Sequence, residues 1–191
     1  MAETTNLGYP RIGKHRELKK SIERYWSGKT DENEVLQSAA EIRRSAWETQ
    51  QAAGIDRIPC NDFTFYDHML DTSCLWGLVP ERFNHTTGQP VSLATYSKMA
   101  RGSEGLAALE MTKWFDTNYH YLVPEFDGAD PVRSGNGPVD AYNEAKAQVG
   151  DAAKPVIVGP LTFVLLGKHH RKSIAEHVND LLPLYAQLLQ D

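Results

Sequence analysis

The sequence predicts an α/β fold in which short strands alternate with longer helices, and three observations lead to it. Apolar and β-branched segments recur between stretches of helical periodicity. The run at 155–160 is apolar on both faces and bounded by prolines, as a buried parallel strand requires. Two capping patterns, Asp31 with Glu34 and Ser173 with Glu176, mark helix starts.

The elements follow in order. Residues 7–9 read as a strand stopped by Pro10, and residues 14–26 as a helix carrying Leu18, Ile22 and Tyr25 or Trp26 on one face, closed by Gly28. Asp31 opens a long helix towards Ala53, with Val35, Leu36, Ala39, Ile42, Ala46 and Trp47 inward and Gly54 as its stop. Residues 55–59 form the next strand, 66–76 and 92–100 are helical, and 80–90 between them has loop composition. Residues 119–123 carry the aromatic and β-branched content of another strand, and 127–138, with its glycines and prolines, reads as a surface loop. A helix runs from about Val139 to Gly150, the strand at 155–160 follows, and Ser173 opens a last helix containing Ile174, Val178, Leu181, Leu182, Tyr185, Leu188 and Leu189. No internal repeat is present. Strands separated by helices imply right-handed crossovers and a parallel sheet with helices outside. About four strands are countable, against the eight of a closed (β/α)8 barrel of about 250 residues. The last helix reaches Asp191 in mid-pattern, so the chain reads as a piece of something longer.

Composition narrows the class. With 20 Lys and Arg against 25 Asp and Glu the net charge is −5, which argues against nucleic acid or an anionic membrane as partner, so any anion site must be local. The N-terminal residues lack the basic and apolar regions of a signal peptide, and no run approaches the roughly 18 apolar residues of a membrane span; the expected address is the cytoplasm. Cys60 and Cys74 are expected to be reduced thiols.

The chemistry-bearing feature is a cationic segment. Arg11, Lys14, Arg16, Lys19, Lys20 and Arg24 are opposed only by Glu17 and Glu23. The segment follows the first predicted strand, at the end of the sheet where α/β proteins place ligands, and enters a helix N-terminus whose N–H groups favour anions. Arg16 lies three residues before Lys19 and four before Lys20, spacings that put each pair on one helix face. Read from the residues alone, this is an anion-binding loop or a solvated amphipathic face. Leu18 fits the core. On the same footing Lys113 is a surface cation and Asn118 a turn residue.

Four blocks carry a resemblance. NLGYPRIGKHRELKKSIERYWSGK (6–29), AGIDRIPCNDFTFYDHMLDTS (53–73), MARGSEGLAALEMTKWFDTNYHYLVPEF (99–126) and KPVIVGPLTF (154–163) resemble, in collinear order, the N-terminal region of the cobalamin-independent methionine synthases. The resemblance implies two (β/α)8 barrels in the parent, of which residues 1–191 would be about the first half of the N-terminal one. It also implies methyl transfer from 5-methyltetrahydropteroyl-polyglutamate to homocysteine, with zinc held by the C-terminal barrel. It assigns contacts to the folate's polyglutamate tail to Arg16, Glu17, Leu18, Lys19, Lys113 and Asn118. On this expectation the chain holds no catalytic residue, cofactor or metal ligand; its partners are the polyglutamyl folate, the C-terminal barrel and, for the isolated piece, a second copy of itself. A stand-alone folate-binding or protein-interaction module is the other reading.

Other candidates are weaker. Cys60, Asp62, Asp67, His68 and Cys74 are metal-capable types without paired metal-ligand spacing. The Asp67-His68 pair and His120 have acid–base potential, but hydrogen-bonded or exposed histidines account for them as well. Residues 61–64 sit at the ligand-facing end of the second strand, His169-His170-Arg171-Lys172 is a basic turn, and Trp26, Trp47, Trp76 and Trp114 read as packing.

Overall fold

The computed structural model describes residues 2–126 and 130–191. Its elements are α1 (Glu17–Trp26), α2 (Glu32–Ala52), β1 (Ile58–Cys60), α3 (His68–Leu75), α4 (Leu93–Arg101), β2 (Met111–Lys113), β3 (His120–Leu122), β4 (Glu125–Phe126), α5 (Gly137–Val149), β5 (Ala153–Pro155), α6 (Pro160–Leu165), β6 (Lys168–His169) and α7 (Ile174–Gln190). The chain divides into two units, Met1–Phe65 with Gly137–Ile157, and Tyr66–Asn136 with Val158–Asp191.

In the first unit β1 and β5 pair in parallel, Ile58 opposite Ala153 and Cys60 opposite Pro155. Thr5 adds a parallel bridge to Arg57. Trp47, Ile58, Cys60, Ala145, Val149 and Ala153 form the core around this ladder. Within it the Trp47 indole N–H donates to the Pro59 carbonyl at 3.1 Å, which satisfies a polar group that burial would otherwise penalise. Arg43 on α2 grips Glu144 on α5 through two bonds of 2.9 and 3.0 Å and lies over the Phe63 ring. Helix α1 packs against α2 with Leu18, Val35 and Ala39 fully buried, each large side chain contributing about 2 kcal/mol.

The second unit is organised by the buried Asp67. One carboxylate oxygen accepts the N–H groups of Met69 and Leu70 at 2.7 and 3.1 Å and so caps α3; the other accepts the N–H of Leu122 on β3 at 3.1 Å. Strands β2 and β3 form an antiparallel hairpin, while β4 and β6 pair in parallel. Trp76, Phe163, Met69, Leu70, Met99, Leu122, Val164 and Leu181 are buried in this unit. The Tyr185 hydroxyl donates to the Val158 carbonyl at 2.7 Å, and its ring lies 4.7 Å from that of Trp76. Ser173 and Glu176 form the reciprocal capping box at the start of α7. Lys172 bridges Asp130 and Asp180.

The α/β class is therefore observed, with several departures from the sequence reading. The strand expected at 7–9 is absent: Leu7 is 81% exposed, and the Tyr9 N–H donates to the Asp62 carboxylate at 2.8 Å instead of to a ladder. The first helix begins at Glu17, since Arg16 adopts the left-handed conformation at φ 65° and cannot continue a helix. Arg16 therefore does not share a helical face with Lys19 and Lys20. At the second helix Asp31 accepts the Glu34 N–H, but the Glu34 side chain turns to Thr30 and Arg24, leaving the box half made. The ladder expected at 155–160 lies earlier, at 153–155, and residues 156–158 are half-buried. The strand near 120 pairs antiparallel with β2, a partner whose exposed Met111 and Lys113 flanking a half-buried Thr112 hid it from a search for apolar runs. Six short strands are present among the described residues instead of about four. In the loop at 127–138, residues 127–129 lie outside the described residues, and 132–134 are tied to the end of α3 by Val132 N–H to Trp76 and Ser134 N–H to Leu75 carbonyls, with Ser134 buried.

One titration follows from the second unit. His177, in the first turns of α7, is buried against the rings of Phe126 and His169. Desolvation, then His169 and Lys172, push its pKa down, with Asp180 and Glu176 opposing. Asp130 also lies within its electrostatic reach. A histidine lowered by folding binds its proton more readily in the unfolded chain, so its stabilising contribution is complete above the unfolded value of about 6.5 and is lost as the pH falls below it. We expect the thermal midpoint to fall on acidification from pH 7 to 5 more steeply in the wild type than in His177→Phe; parallel curves from calorimetry would contradict this.

Candidate functional site

The cationic segment begins as a tight loop. The Arg16 N–H donates to the Gly13 carbonyl and the Leu18 N–H to that of Ile12, both at 3.2 Å. Gly13 stands at φ 83°, a left-handed value that glycine adopts without strain, and a Cβ there would run into the Glu17 carboxylate. Glu17 turns back on the loop and accepts the His15 N–H at 2.8 Å. Its own backbone N–H and that of His15 hold its pKa below the usual carboxylate range, with His15 and Lys20 adding smaller attractions. The anion at the start of α1 is thus one the chain supplies itself.

The cations differ in their freedom. The Arg11 guanidinium donates to the carbonyls of Thr64 and Phe65 at 3.4 and 3.5 Å, which ties the loop to the segment after β1. Lys19 pairs with Glu23 at 3.6 Å and Arg24 with Glu34 at 3.3 Å, both exposed pairs. Lys14, Arg16 and Lys20 are exposed and form no salt bridge among the described residues. Leu18 is 0% exposed and faces the core. The structure therefore brings Arg16, Glu17, Leu18 and Lys19 to one loop–helix junction, with only the two basic side chains open to an incoming anion.

Lys113 and Asn118 share the β2–β3 hairpin of the second unit. Lys113 pairs with His120 across the ladder, so both exposed side chains leave from the same face. The turn is closed by Trp114 N–H to Tyr119 carbonyl at 2.8 Å and Thr117 N–H to Trp114 carbonyl at 2.9 Å. Phe115 and Asp116 at its centre have φ of 44° and 60°, left-handed values that glycine, asparagine and aspartate adopt far more readily than phenylalanine. The carbonyl of the exposed Asn118 lies 3.1 Å from His120 Nδ1, which fixes the proton on that nitrogen when the bond is made. Around the turn stand His68, stacked on Tyr119 with rings 5.7 Å apart and 3° from parallel, and Trp114, edge-on to both His68 and Phe115. The sequence reading missed this aromatic surround; the one signal available was Phe-Asp in a turn that favours Asn-Gly.

The remaining candidates have structural engagements. Asp62 accepts the Tyr9 N–H, and burial raises its pKa. Asn61, at φ 59°, donates to the Val156 carbonyl at 2.9 Å. Asp67 caps α3, Trp47 and Trp76 are buried, and His169 Nε2 lies 2.6 Å from the Val164 carbonyl. Both cysteines are free. Burial, with Asp62 nearby, pushes the Cys60 thiol up to about 12, and burial with Asp71 and Asp67 raises Cys74 as well. Zinc binds thiolates, and among the described residues no three His, Cys, Asp or Glu side chains are grouped to hold a metal, so these residues do not fit a zinc site. No helix among the described residues is long and apolar enough to cross a membrane.

Comparison with known proteins decides the family. The model of the cobalamin-independent synthase N-terminal domain matches residues 3–191. The chain belongs to this family. It is similar to the 5-methyltetrahydropteroyltriglutamate–homocysteine methyltransferase of Salinibacter ruber, 48% identical over 100% of this chain and 26% of that protein. It is 47% identical to the enzyme of that name from Halalkalibacterium halodurans, over 98% of this chain and 25% of that protein. The enzyme of that name from Listeria monocytogenes is 46% identical over 100% of this chain and 25% of its own length. The chain thus spans about a quarter of the length of these relatives.

Within this family domain Leu18 and Lys19 differ in burial in a way that mutation can read. Leu18→Ala should cost about 2–5 kcal/mol through lost burial and the cavity left behind. Lys19→Ala should cost no more than about 0.5 kcal/mol, since it loses only an exposed pair. Urea unfolding measures both, and comparable losses in the two variants would contradict the assignment.

Proposed function

We propose that this chain is part of a cobalamin-independent methionine synthase, in which it scaffolds the catalytic portion and helps hold the polyglutamate tail of the folate. The parent enzyme transfers a methyl group from 5-methyltetrahydropteroyltriglutamate to homocysteine, the substrates that the relatives' names state. The observation that carries the reading is the exposed cation set Lys14, Arg16, Lys19 and Lys20 on a rigid loop and helix start in a chain of net charge −5. A triglutamate tail is a row of carboxylates, and several adjacent cations match it better than one. Glu17 serves this site by shaping the loop and Leu18 by anchoring α1. Lys113 and Asn118, on the hairpin of the other unit, are proposed as folate contacts in their own right.

In this reading the domain is about the first half of an N-terminal (β/α)8 barrel, and homocysteine activation by zinc belongs to the C-terminal barrel. The chain alone does not catalyse methyl transfer. The direct test is calorimetric titration of the chain with triglutamyl and monoglutamyl 5-methyltetrahydrofolate. The triglutamyl form should bind more tightly, its affinity falling with added salt and about tenfold in Lys19→Ala, as loss of one charge-assisted contact of about 1.5 kcal/mol implies. Equal weak binding of both forms, unchanged in the variant, would remove the assigned role.

Exposed apolar side chains favour a further partner layer. Leu161 and Leu165 on α6 and Leu182 and Leu189 on α7 are 48–73% exposed. From Leu181 to Gln190 α7 contains no charged residue, unlike an ordinary solvent-facing helix. By itself the chain should self-associate, and light scattering should show a mass rising with concentration; a constant monomer mass would count against it.

A further inference from the structure

Residues 6–16 carry cations to the start of α1 without belonging to a helix or a strand. Burial does not hold them either, since Leu7, Tyr9 and Ile12 are 81%, 39% and 36% exposed. Their place is set by hydrogen bonds. The Gly8 N–H donates to the Asn6 side chain at 3.1 Å, and Asn6 donates in turn to the buried Gln50 at 2.9 Å. The Tyr9 N–H donates to the Asp62 carboxylate at 2.8 Å, and Pro10, next in line, has no N–H to give. The Arg11 guanidinium reaches the Thr64 and Phe65 carbonyls at 3.4 and 3.5 Å, the outer limit of a hydrogen bond. The short bond to a carboxylate is stronger than either of these long contacts, so Asp62 is the fastening that decides where the loop enters. Asp62 is itself placed by the β1–β5 ladder. Asn61 turns the chain at φ 59° and donates to the Val156 carbonyl at 2.9 Å, while the Val156 N–H donates to the Cys60 carbonyl at 2.9 Å. Gly8 lets the loop come close, because a Cβ there would lie 3.2 Å from both the Cβ and a carboxylate oxygen of Asp62. Burial raises the Asp62 pKa, and the N–H groups of Tyr9, of Asp62 itself and of Phe63 oppose that by favouring the carboxylate.

We propose that Asp62 is a positioning residue for the anion site: by holding Tyr9 it sets the path of residues 9–16 and so keeps Lys14 and Arg16 in line with Lys19 and Lys20. This rests on the reading of that cation set as the polyglutamate site and deepens it. Lys19 and Lys20 are fixed by α1 and by the burial of Leu18 beside them. Lys14 and Arg16 are not; the turn that carries them closes on α1 through bonds of 3.2 Å, at the long end of the ordinary range, and needs an anchor at its entry. One carboxylate can be met by the helix cations, but successive carboxylates need the loop cations at a constant spacing from them. A freed loop would have to be ordered by the ligand, and that cost falls on the longer tail. By charge alone a carboxylate works against an anion site, so positioning and electrostatics predict opposite signs for its removal.

The test is the ratio of affinities for triglutamyl and monoglutamyl 5-methyltetrahydrofolate, measured by calorimetry on the chain and its variants, with thermal unfolding of each alongside. Asp62→Ala removes the acceptor and should lower the ratio about tenfold, the scale of ordering one or two long side chains anew, although it also removes a charge of the ligand's own sign. Asp62→Asn keeps an oxygen for the Tyr9 N–H and should restore most of the ratio. Gly8→Ala keeps the carboxylate but crowds it, and should lower the ratio by less. A ratio that rises in Asp62→Ala and Asp62→Asn alike makes Asp62 a repelling charge and overturns the inference. A ratio unchanged in Asp62→Ala and Gly8→Ala while their thermal midpoints fall makes the bond structural only and overturns it as well. Should Asp62→Ala show no thermal transition, Gly8→Ala and Asp62→Asn decide by the same criteria. Equal affinities in the unsubstituted chain would remove the tail site and this inference with it, whereas a selective chain whose variants stay selective removes the inference alone.

Discussion

The second unit depends on where one carboxylate points. Asp67 is buried and accepts three backbone N–H groups drawn from two elements far apart in sequence. Hydrogen bonds to a charged group are worth more than neutral ones, and a buried carboxylate stripped of them would be severely penalised, so the three act together. Their geometry fixes the start of α3 and the register of β3 at once. His68 is therefore delivered to the hairpin at a set height, and Lys113, Asn118 and Phe115 inherit their positions from the strand that Asp67 holds. Neighbouring polar groups reinforce this point: Tyr96 donates to Asp71 at 2.6 Å and accepts the Tyr66 N–H at 3.0 Å, fastening α4 to the same helix.

The first unit solves a related problem with a different device. A loop rich in cations has to be rigid if its charges are to face one ligand, yet mutual repulsion works against order. Glu17 supplies the counter-charge, but it is bound to backbone N–H groups rather than to any of the lysines or arginines, so it orders the loop without consuming a cation. Gly13 leaves the space for it, and Leu18, one residue on, turns into the core. Arg11 is the cation given up to structure, since its guanidinium caps the carbonyls of Thr64 and Phe65.

How far the sequence exposed all this varies with the range of the interaction. Where a capping pattern was read the helix start was legible, because caps are local: Ser173 with Glu176 and Asp31 each act within a turn, whereas the start of α1 and the whole of α6 carried no such signal. Strands were not legible, because each is two or three residues long and defined by a partner distant in sequence. Pro155 to Pro160 has the composition of a strand, but the ladder to β1 was taken by Ala153, Lys154 and Pro155. Residues 7–9 lost their place in a ladder to a side-chain acceptor, Asp62, that no local pattern announces. Among candidate site residues, the cations are visible in the sequence as a local excess of charge. The internal engagement of Glu17 and the left-handed Arg16 required coordinates, and so did the Phe115–Asp116 turn, whose strain contradicts its own sequence preference.

If the chain holds a polyglutamate tail as proposed, an acidic protein must select a polyanion against its own field. At long range its field repels carboxylates, so attraction must come from charges that act within a few ångströms. Fixed pairs such as Arg43 with Glu144 and Arg82 with Glu125 are two-point and partly buried, and serve the fold. Lys19 with Glu23 and Arg24 with Glu34 are exposed pairs, a class worth no more than about 1 kcal/mol. A ligand carboxylate can therefore replace Glu23 beside Lys19 at little cost, and each further carboxylate meets a cation already on the same surface. A single carboxylate gains too little against the overall repulsion, whereas a chain of them accumulates local attractions while the loss of translational freedom is incurred once. In the proposed reading, discrimination by tail length would arise from the arrangement of weakly held cations, with no strong individual contact required.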